Sequence, residues 1–452
     1  MIVMKFGGTS VGLPANFANA CALVLARRDR RPVVVVSALA GVTNLLVEYA
    51  REPARRSEIG GRLVRHHREF GRTVGAGGDA LEELFAEWEG ADTRWRAEAT
   101  LAGATRDEAL AFGERWSAVL FAAALRERGL DAVAVHAGDA GLITDERFGA
   151  AHPLSDTPAR LAESLGVWPP LAVVTGFLGR TVDGRVTTLG RGGSDYSAAL
   201  IGAALGAEEI QIWTDTSGML SADPRIVPEA RVVPELSFAE ASELAYFGAR
   251  VLHPKTLLPA MERDVPVRIL NTARPADPGS RITAVAPASG HDWRVKSIAC
   301  KKGITAVTIV STRMLQAHGF LARVFEVFGR HRVVVDLVTT SEVSISVTVD
   351  DTSRLDSALA DLEGIGRVEA RYGLAVVAVV GEGAPTRLGL AGHVFTLLGG
   401  VGIAVEMISQ GASRVNLSFV VRETDADRSV RLLHRGLGLD VEIPSSTAVT
   451  GP

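Results

Sequence analysis

The chain has 452 residues, of which 47 % are hydrophobic and 22 % are charged, a composition that is typical of a globular protein and excludes a disordered one. At about 100–200 residues per domain, this length predicts two to four domains. The 48 Lys and Arg residues nearly balance the 52 Asp and Glu residues, and the resulting net charge of −4 makes nucleic acid an unexpected partner.

Cysteine usage and hydropathy narrow the cellular setting. The two cysteines, Cys21 and Cys300, are too few for a disulfide framework and indicate a reducing compartment. No apolar run approaches the ~20 residues of a membrane span, and the first residues lack the apolar stretch of a signal peptide. Histidines do not cluster with Cys or Asp at metal-binding spacing. We therefore expect a cytoplasmic protein with no membrane contact and no structural metal.

In chain order, the first part of the sequence alternates between strand and helix patterns. Strands are predicted at residues 2–6, 32–37, 132–135, 172–176, 209–214 and 265–270. Helices are predicted at residues 16–28 and over most of 53–128, with a break at the glycine-rich residues 75–78. This alternation indicates an α/β sheet with helices on both faces. Residues 277–292, rich in Pro and Gly, are predicted to be a linker.

An internal repeat follows the linker. Strand, helix, two strands, helix and strand are predicted at 304–310, 319–330, 333–338, 343–349, 353–363 and 368–371. The order returns at 374–380, 387–398, 403–408, 415–421 and 426–435, where Val405-Glu406 matches Val335-Asp336. This is the ferredoxin-like β-α-β-β-α-β motif, present twice. Two such units either sense a ligand or only dimerise the chain, and topology alone does not decide between these roles.

A lysine and two glycines stand at the end of the first strand, in Lys5-Phe6-Gly7-Gly8-Thr9-Ser10. Glycines there let backbone N–H groups approach a phosphate, and a lysine can neutralise charge on a transferred phosphoryl group. The alternative is a surface lysine before a glycine turn. The Walker spacing is absent, so the chain is not a P-loop protein.

The densest glycine cluster, residues 187–195, precedes an Ala-rich helix. Ser194 and Asp195 occupy positions where helix caps are common, which alone would explain them. Capping does not explain Arg191, which stands between glycines. An arginine placed there can clamp a carboxylate with two hydrogen bonds. We therefore favour a substrate-binding role for this segment.

Other polar residues follow predicted strands. Ser37 ends the second strand and Thr43 opens the next helix, so both are candidate substrate contacts, although capping also accounts for Thr43. Asp215 and Arg225 lie in a loop after residues 209–214 and are candidate nucleotide contacts, although such a turn needs no function. Glu114 lies on a predicted helix and is left unassigned by residue type alone.

Together these motifs resemble the aspartate kinase family, of the amino acid kinase fold. The resemblance is carried by KFGGTS (residues 5–10), SALAGVTNLL (37–46), TTLGRGGSDYSAAL (187–200), WTD (213–215), DPR (223–225) and FGARVLHP (247–254), in family order. Residues 319–344 are similar to the lysine-sensitive, monofunctional branch, whose members carry two tandem ACT domains.

The resemblance implies a three-layer kinase domain over residues 1–285, a linker and joining strand over 286–302, and ACT domains over 303–372 and 373–452. It implies transfer of phosphate from ATP, with Mg²⁺ carried by the nucleotide, to the side chain of L-aspartate. The product would be 4-phospho-L-aspartate, the first intermediate of the lysine, threonine and methionine pathway.

The resemblance also assigns roles to individual residues. Lys5 would stabilise the transferring phosphoryl group, Asp195 would orient Lys5, Arg191 would clamp the α-carboxylate of aspartate, and Glu114 would take its α-ammonium. The remaining substrate contacts would be Ser37, Thr43 and Ser194, and the nucleotide contacts would be Lys5, Gly7, Gly8, Ser10, Thr214, Asp215, Arg225 and Arg250.

Three departures from the family pattern accompany these roles. Phe112 stands where relatives usually have a histidine, Leu220 replaces a tyrosine near the nucleotide base, and Arg250 replaces a commoner lysine. None of them removes a charge needed for phosphoryl transfer, so activity is expected.

For regulation, the resemblance implies a lysine effector in the first ACT domain, at an interface of a homodimer or a dimer of dimers. Asp336 and Glu342 would pair with its ammonium groups. The full set of implied effector residues is Met314, Phe320, Leu321, Val335, Asp336, Ser341 and Glu342. Ala317 replaces a serine of relatives, and the lost hydrogen bond, worth about 1.5–3 kcal/mol, predicts a roughly tenfold to hundredfold loss of effector affinity.

Three other functions remain open on the sequence alone. An amino acid kinase acting on glutamate is disfavoured by the ACT repeat, and an inactive amino-acid sensor is disfavoured by the presence of Lys5, Arg191 and Asp195. A paralogue that serves a specialised pathway is not separated from a biosynthetic enzyme by any residue.

Overall fold

A computed structural model describes residues 1–166, 171–248, 252–290, 292–315, 318–410 and 415–441. The chain divides into two units: Met1–Met219 with Pro234–Phe238 and Arg250–Ala286, and Leu220–Val233 with Ala239–Ala249 and Pro287–Pro452. Within the described ranges, we find no helix that combines the length and the apolar character needed to cross a membrane.

The elements alternate along the first part of the chain. Its strands are β1 (Ile2–Phe6), β2 (Pro32–Val36), β3 (Ala132–Val135), β4 (Ile143–Thr144), β5 (Leu171–Thr175), β6 (Leu178–Thr181), β7 (Val186–Thr188), β8 (Ile210–Thr214), β9 (Glu235–Ser237), β10 (Val267–Asn271) and β11 (Ser280–Thr283). Its helices are α1 (Gly8–Val11), α2 (Pro14–Leu25), α3 (Val42–Arg51), α4 (Arg56–Val74), α5 (Asp79–Trp95), α6 (Gly103–Arg126), α7 (Thr157–Gly166), α8 (Gly193–Ala204), α9 (Phe238–Tyr246) and α10 (Pro254–Glu262).

The first unit is built on an eight-stranded sheet in the order β3-β5-β2-β1-β8-β10-β11-β9, in which only the β10–β11 pair is antiparallel. Every residue of β1, β2 and β5 is buried, as continuous apolar runs in a parallel sheet predict. A smaller, three-stranded sheet has the order β4-β6-β7, and its strands come between β3 and β8 in the chain. Because β1, β2 and β8 are parallel neighbours, their carboxyl ends meet at one edge of the sheet.

The elements of the second part are shorter. Its strands are β12 (Ser297–Val310), β13 (Val338–Thr340), β14 (Ser344–Val349), β15 (Arg367–Val380), β16 (Met407–Ser409) and β17 (Asn416–Arg422), and its helices are α11 (Phe320–Arg330), α12 (Leu355–Glu363), α13 (Leu390–Gly400) and α14 (Glu423–Gly436).

The strands of the second unit form a single antiparallel sheet in the order β13-β14-β12-β15-β17-β16. The long strands β12 and β15 each serve both ferredoxin-like units. The later half of β15 is the first strand of the second ferredoxin-like unit. The first residues of β12, from Ser297 to Lys302, pair with it and form the fourth strand of that unit. The second ferredoxin-like unit is thus completed by residues that precede the first ferredoxin-like unit in the chain. The internal repeat alone did not predict this.

Most predicted elements are confirmed, and the exceptions follow. The strand predicted at 403–408 begins only at Met407. The strand predicted at 333–338 begins only at Val338, because the backbone N–H of Leu337 donates to the hydroxyl of Thr348 (2.9 Å) and leaves the regular ladder. The strands predicted at 368–371 and 374–380 are one strand, β15. Part of the predicted linker is β11, which pairs with β10 in the main sheet.

Candidate active site

A cleft of about 660 Å³ opens at the carboxyl ends of β1 and β2 in the first unit. It gathers residues that are far apart in the sequence but that the motifs had singled out. Those lining it are Lys5, Gly8, Ser37, Thr43, Glu114, Arg191, Ser194 and Asp195. The structure therefore brings together Lys5 and Gly8 of the first motif, Arg191 of the glycine-rich loop, and the hydroxyl-bearing Ser37 and Thr43.

The lysine of the cleft forms an ion pair. The ammonium Nζ of Lys5 lies 2.5 Å from Oδ1 of Asp195, and the two side chains are only 9 % and 14 % exposed. Lys5 is held by β1 and Asp195 by the first turn of α8, so the pair joins the central strand to a helix end. A cation fixed in this way, away from bulk water, is suited to stabilise charge on a phosphoryl group.

The glycine turn after β1 is shaped by its neighbours. A Cβ on Gly8 would lie 3.0 Å from the carbonyl oxygen of Ala38, and the N–H of Gly7 donates to the carbonyl of Trp213 (3.1 Å). Ser10 lies apart from the cleft lining: it is buried, and its hydroxyl donates to the carbonyl of Trp213 (3.0 Å). A side chain at Gly8 would therefore require the chain after β2 to shift by a few tenths of an ångström.

The loop from β7 to α8 presents Arg191 to the cleft. Gly190 and Gly192 on either side have φ values of +78° and +73°, a region that glycine adopts without strain. A Cβ on Gly192 would also lie 2.7 Å from Cβ of His253. Arg191 is exposed, and no carboxylate of the described ranges lies within ion-pair distance of its guanidinium. It is therefore available for a carboxylate ligand.

Glu114 is the residue whose environment the sequence predicted least. It lies on α6 and is 3 % exposed; its Oε1 accepts from the N–H of Ala38 (3.2 Å), while Oε2 has no hydrogen-bond partner among the described residues. Burial raises the pKa of Glu114 to about 8, with the Ala38 N–H and the charge of Lys5 acting in the opposite direction. A ligand ammonium at Oε2 would supply the missing partner and favour the ionised form.

We expect Glu114→Gln to stabilise the unliganded protein at pH 8 but not at pH 4. The pKa of about 8 in the folded state lies above the ordinary value of 4.5, so folding retains a proton that unfolding releases. Stability from this group is therefore complete below pH 4.5 and is lost as the pH rises towards 8. The Tm of wild type and variant at the two pH values measures the effect, with Glu83→Gln on α5 as an exposed control. An equal Tm difference at both pH values would contradict the buried, protonated glutamate.

The predicted nucleotide residues are distributed more widely. Thr214 and Asp215 end β8, beside the glycine turn, and the Thr214 hydroxyl donates to Asp215 Oδ1 (3.2 Å). Arg225 belongs to the second unit, where its guanidinium pairs with Asp223 (2.5 Å). Arg250 lies outside the described residues. Their roles as nucleotide contacts stay predictions.

Two further residues of α6, Arg106 and Phe112, differ in whether they reach the cleft. Arg106 lines the cleft, and no motif had indicated it, since an arginine on a helix carries no signal of its own. Phe112, the departure from the family histidine, points into the core instead: its ring lies 5.1 Å from that of Trp88 and 5.4 Å from that of Trp116. Phe112, which stands in place of the family histidine, thus lies in an aromatic cluster and does not line the cleft.

The second unit contains the predicted effector residues. The side chain of Asp336 is 1 % exposed and is paired with the ammonium of Lys301 (3.1 Å) and with the hydroxyl of Tyr246. Lys301 also pairs with Asp350 (2.7 Å) and lies 4.6 Å from the centroid of the Tyr246 ring. Asp336 is therefore a buried carboxylate that already binds one primary ammonium.

The other predicted effector residues belong to the same unit. Leu321, Ser341 and Glu342 are exposed, Met314 and Val335 are half-buried, and Phe320 is buried. The hydroxyls of Ser341 and Ser344 lie 2.7 Å apart. Ala317 lies outside the described residues.

Known protein families match both parts of the chain. The amino acid kinase family matches residues 1–271, and an ACT domain family matches residues 307–363 and 377–437. Aspartokinase 1 of Arabidopsis thaliana, a chloroplastic protein, is 40 % identical over 96 % of this chain and 79 % of its own length.

Solved structures give the same result. The E. coli aspartokinase III in complex with aspartate and ADP (R-state) is 38 % identical, with a TM-score of 0.85 over 97 % of this chain and 99 % of that one. The same E. coli protein in complex with lysine and aspartate (T-state) has a TM-score of 0.78, at 37 % identity over the same shares of both chains. These are the similarities on which assignment to a family depends.

Proposed function

The chain belongs to the aspartokinase family and is an aspartate kinase, and we propose that the cleft of its first unit is where ATP phosphorylates the side-chain carboxylate of L-aspartate. The products are ADP and 4-phospho-L-aspartate, at the entry to the biosynthesis of the aspartate-family amino acids. The observation that carries the proposal is the Lys5–Asp195 ion pair in one cleft with Arg191 and the buried Glu114.

The chemistry requires little acid–base catalysis. A carboxylate oxygen of aspartate attacks the γ-phosphorus of ATP, and the bond from that phosphorus to the bridging oxygen breaks as ADP departs. The attacking carboxylate is already ionised at pH 7, so no proton has to be removed. The protein then acts by positioning and by neutralising charge, and Lys5, oriented by Asp195, supplies the cation.

Recognition of aspartate uses the two ends of its amino-acid group. The guanidinium of Arg191 can bind the α-carboxylate with two parallel hydrogen bonds, and the free oxygen of Glu114 can accept from the α-ammonium. Ser37, Thr43 and Ser194 line the remaining wall. The side-chain carboxylate is thereby directed towards Lys5.

The nucleotide side is proposed on position and chemistry. Gly7, Gly8 and Ser10 follow β1, Thr214 ends β8 and Asp215 follows it, so that the two strand ends would flank one phosphate-binding edge. Arg250 would add a cation. Mg²⁺ would arrive with the phosphates of ATP.

Substrate choice tests the proposed function. ATP-dependent formation of the hydroxamate is expected with L-aspartate and to be at least tenfold weaker with L-glutamate, because an additional methylene displaces the attacking carboxylate from Lys5. Equal or greater turnover of glutamate would instead favour a glutamate-type amino acid kinase. No turnover of either acid would favour an amino-acid sensor.

We further propose that lysine binds the first ACT unit and inhibits the kinase. Asp336 supports this, because it already accepts the ammonium of Lys301, the same functional group that a lysine effector carries. Glu342, exposed nearby in sequence, would take the second ammonium, and the backbone of Phe320 and Leu321 would take the carboxylate.

Asp336→Asn is expected to raise the lysine concentration for half-inhibition at least tenfold, because a charged hydrogen bond to the effector is lost. Lysine titration of the kinase assay measures it. Asp350→Asn, which removes the other carboxylate paired with Lys301, is the matched control and should change inhibition less. Absence of inhibition in the wild type at any soluble lysine concentration would sink the effector proposal, and Ala317→Ser should increase sensitivity.

A homodimer through the second unit is proposed from its exposed apolar side chains, with a dimer of dimers as the larger alternative. Those between 37 % and 64 % exposed include Leu321, Phe325, Val334, Val338 and Val343. Exposed apolar residues gathered on one small unit are typical of an interface. A solution mass of 47.7 kDa by light scattering, the mass of one chain, would contradict dimerisation.

We place the enzyme in the cytoplasm. Cys21 is buried and Cys300 half-buried, and both are free thiols, as expected in a reducing compartment. Recovery of the native protein from a membrane or extracellular fraction would contradict this placement.

A further inference from the structure

A buried carboxylate behind the cleft has no role in the proposed chemistry. Asp107, near the start of α6, is completely buried, and its Oδ2 accepts two backbone hydrogen bonds, from the N–H of Thr188 (2.7 Å) and from the N–H of Gly149 (2.8 Å). Both are charge-assisted hydrogen bonds of short length, which are about twice as strong as neutral ones. A single oxygen therefore joins a helix to two separate loops.

The two loops that Asp107 joins are those that flank Arg191. Thr188 is the last residue of β7, three residues before Arg191, and its carbonyl accepts from the N–H of Ala151 (2.9 Å). A Cβ on Gly190 would lie 3.2 Å from the carbonyl oxygen of Gly149, so the loops are packed against each other. Gly149 and Thr188 also line the cleft.

The same helix carries the other end of the substrate site. Asp107 and Glu114 are seven residues apart on α6, which places them on one face of the helix about 10 Å apart along its axis. In the proposed site Glu114 would bind the α-ammonium, whereas Asp107 holds Thr188, at the start of the loop that carries Arg191. Since both groups of an amino acid are attached to one carbon atom, their two partners must keep a fixed separation.

We propose that Asp107 is a positioning residue that sets the separation of Arg191 from Glu114 and thereby the selectivity of the cleft for aspartate. The inference rests on the proposed roles of Arg191 and Glu114 and adds the element that relates them. When the Asp107 hydrogen bonds are lost, the clamp is free to shift, the α-carboxylate is bound less well, and a longer acid is discriminated against less.

Kinetic constants of Asp107→Ala and Asp107→Asn test this inference. For Asp107→Ala we expect the KM for aspartate to rise 10-fold to 100-fold, the KM for ATP to change less than twofold, and the preference for aspartate over glutamate to fall at least tenfold. Asp107→Asn keeps a carbonyl oxygen that can accept both N–H groups, and it should restore the KM to within about threefold of wild type.

A matched variant separates positioning from stability. Asp92, on α5, is also a buried carboxylate, which accepts from the hydroxyl of Tyr49 (2.5 Å) and does not line the cleft. Asp92→Ala should lower the Tm without changing the KM for aspartate or the preference over glutamate. If Asp107→Ala is insoluble, Asp107→Glu, which moves the carboxylate by one methylene, should show the same rise in the KM for aspartate.

Three results would overturn the inference. The first is an unchanged aspartate KM and preference in Asp107→Ala while Arg191→Ala raises the KM, which would leave the clamp in place and remove only the positioning role. The second is a normal KM in Arg191→Ala itself, which would remove the clamp and with it the role of Asp107. Parallel loss of kcat and of both affinities in Asp107→Ala and Asp92→Ala would show a merely structural residue.

Discussion

Lys5→Met is expected to lower kcat about 100-fold to 1000-fold. Enzymes lose activity on this scale when one preorganised group that stabilises charge in the transition state is removed. Methionine fills the space of the lysine stem but carries no charge. The Lys5 ammonium is fixed 2.5 Å from Asp195 and nearly excluded from water, so water cannot easily replace it. The measurement is kcat at saturating aspartate and ATP.

The same ion pair makes stability a competing explanation. Removal of one partner of a buried pair costs about 3–5 kcal/mol, because the other charge is left uncompensated. The double variant Lys5→Met with Asp195→Asn removes both charges and should recover the Tm that Lys5→Met loses. Its kcat should remain as low as that of Lys5→Met. Wild-type kcat in the single variant, or recovery of kcat with Tm in the double variant, would refute a direct role of Lys5 in transfer.

Local patterns predicted the elements that build the cleft. The apolar runs before Lys5 and Ser37 gave β1 and β2, because a strand buried on both faces needs apolar residues throughout. The glycines around Arg191 indicated its loop, since positive φ at Gly190 and Gly192 is a local requirement. Where chemistry depends on backbone conformation, the sequence is informative.

Burial and long-range pairing were not predictable in the same way. In the sequence, Glu114 does not differ from any other glutamate on a helix, because its burial arises only when α6 packs against the chain after β2. Asp107 differs from other aspartates only in accepting hydrogen bonds from N–H groups 42 and 81 residues away. The pairing of residues 297–302 of β12 with residues 375–380 of β15 is also a contact between segments far apart in the sequence. Such features depend on tertiary contacts that a repeat or a spacing does not encode.

The largest effect on substrate binding is expected from Arg191→Ala. Loss of two charge-assisted hydrogen bonds to the α-carboxylate should raise the KM for aspartate about 100-fold or more, while the KM for ATP stays within about twofold. Arg191→Lys should recover only part of the loss, because an ammonium cannot reproduce the planar, bidentate contact. Arg106→Ala is the control, since Arg106 is the other arginine among the described lining residues.

A substrate that lacks the α-carboxylate separates this contact from a general loss of cations. β-Alanine retains the amine and the carboxylate to be phosphorylated, and the wild-type enzyme should prefer aspartate to it strongly. In Arg191→Ala that preference should collapse, because the variant gains nothing from the α-carboxylate, whereas in Arg106→Ala it should persist. If both variants kept the full preference, the α-carboxylate would have to be bound elsewhere in the cleft. If Arg106→Ala alone lost it, the clamp would belong to α6, on the helix that already carries Glu114.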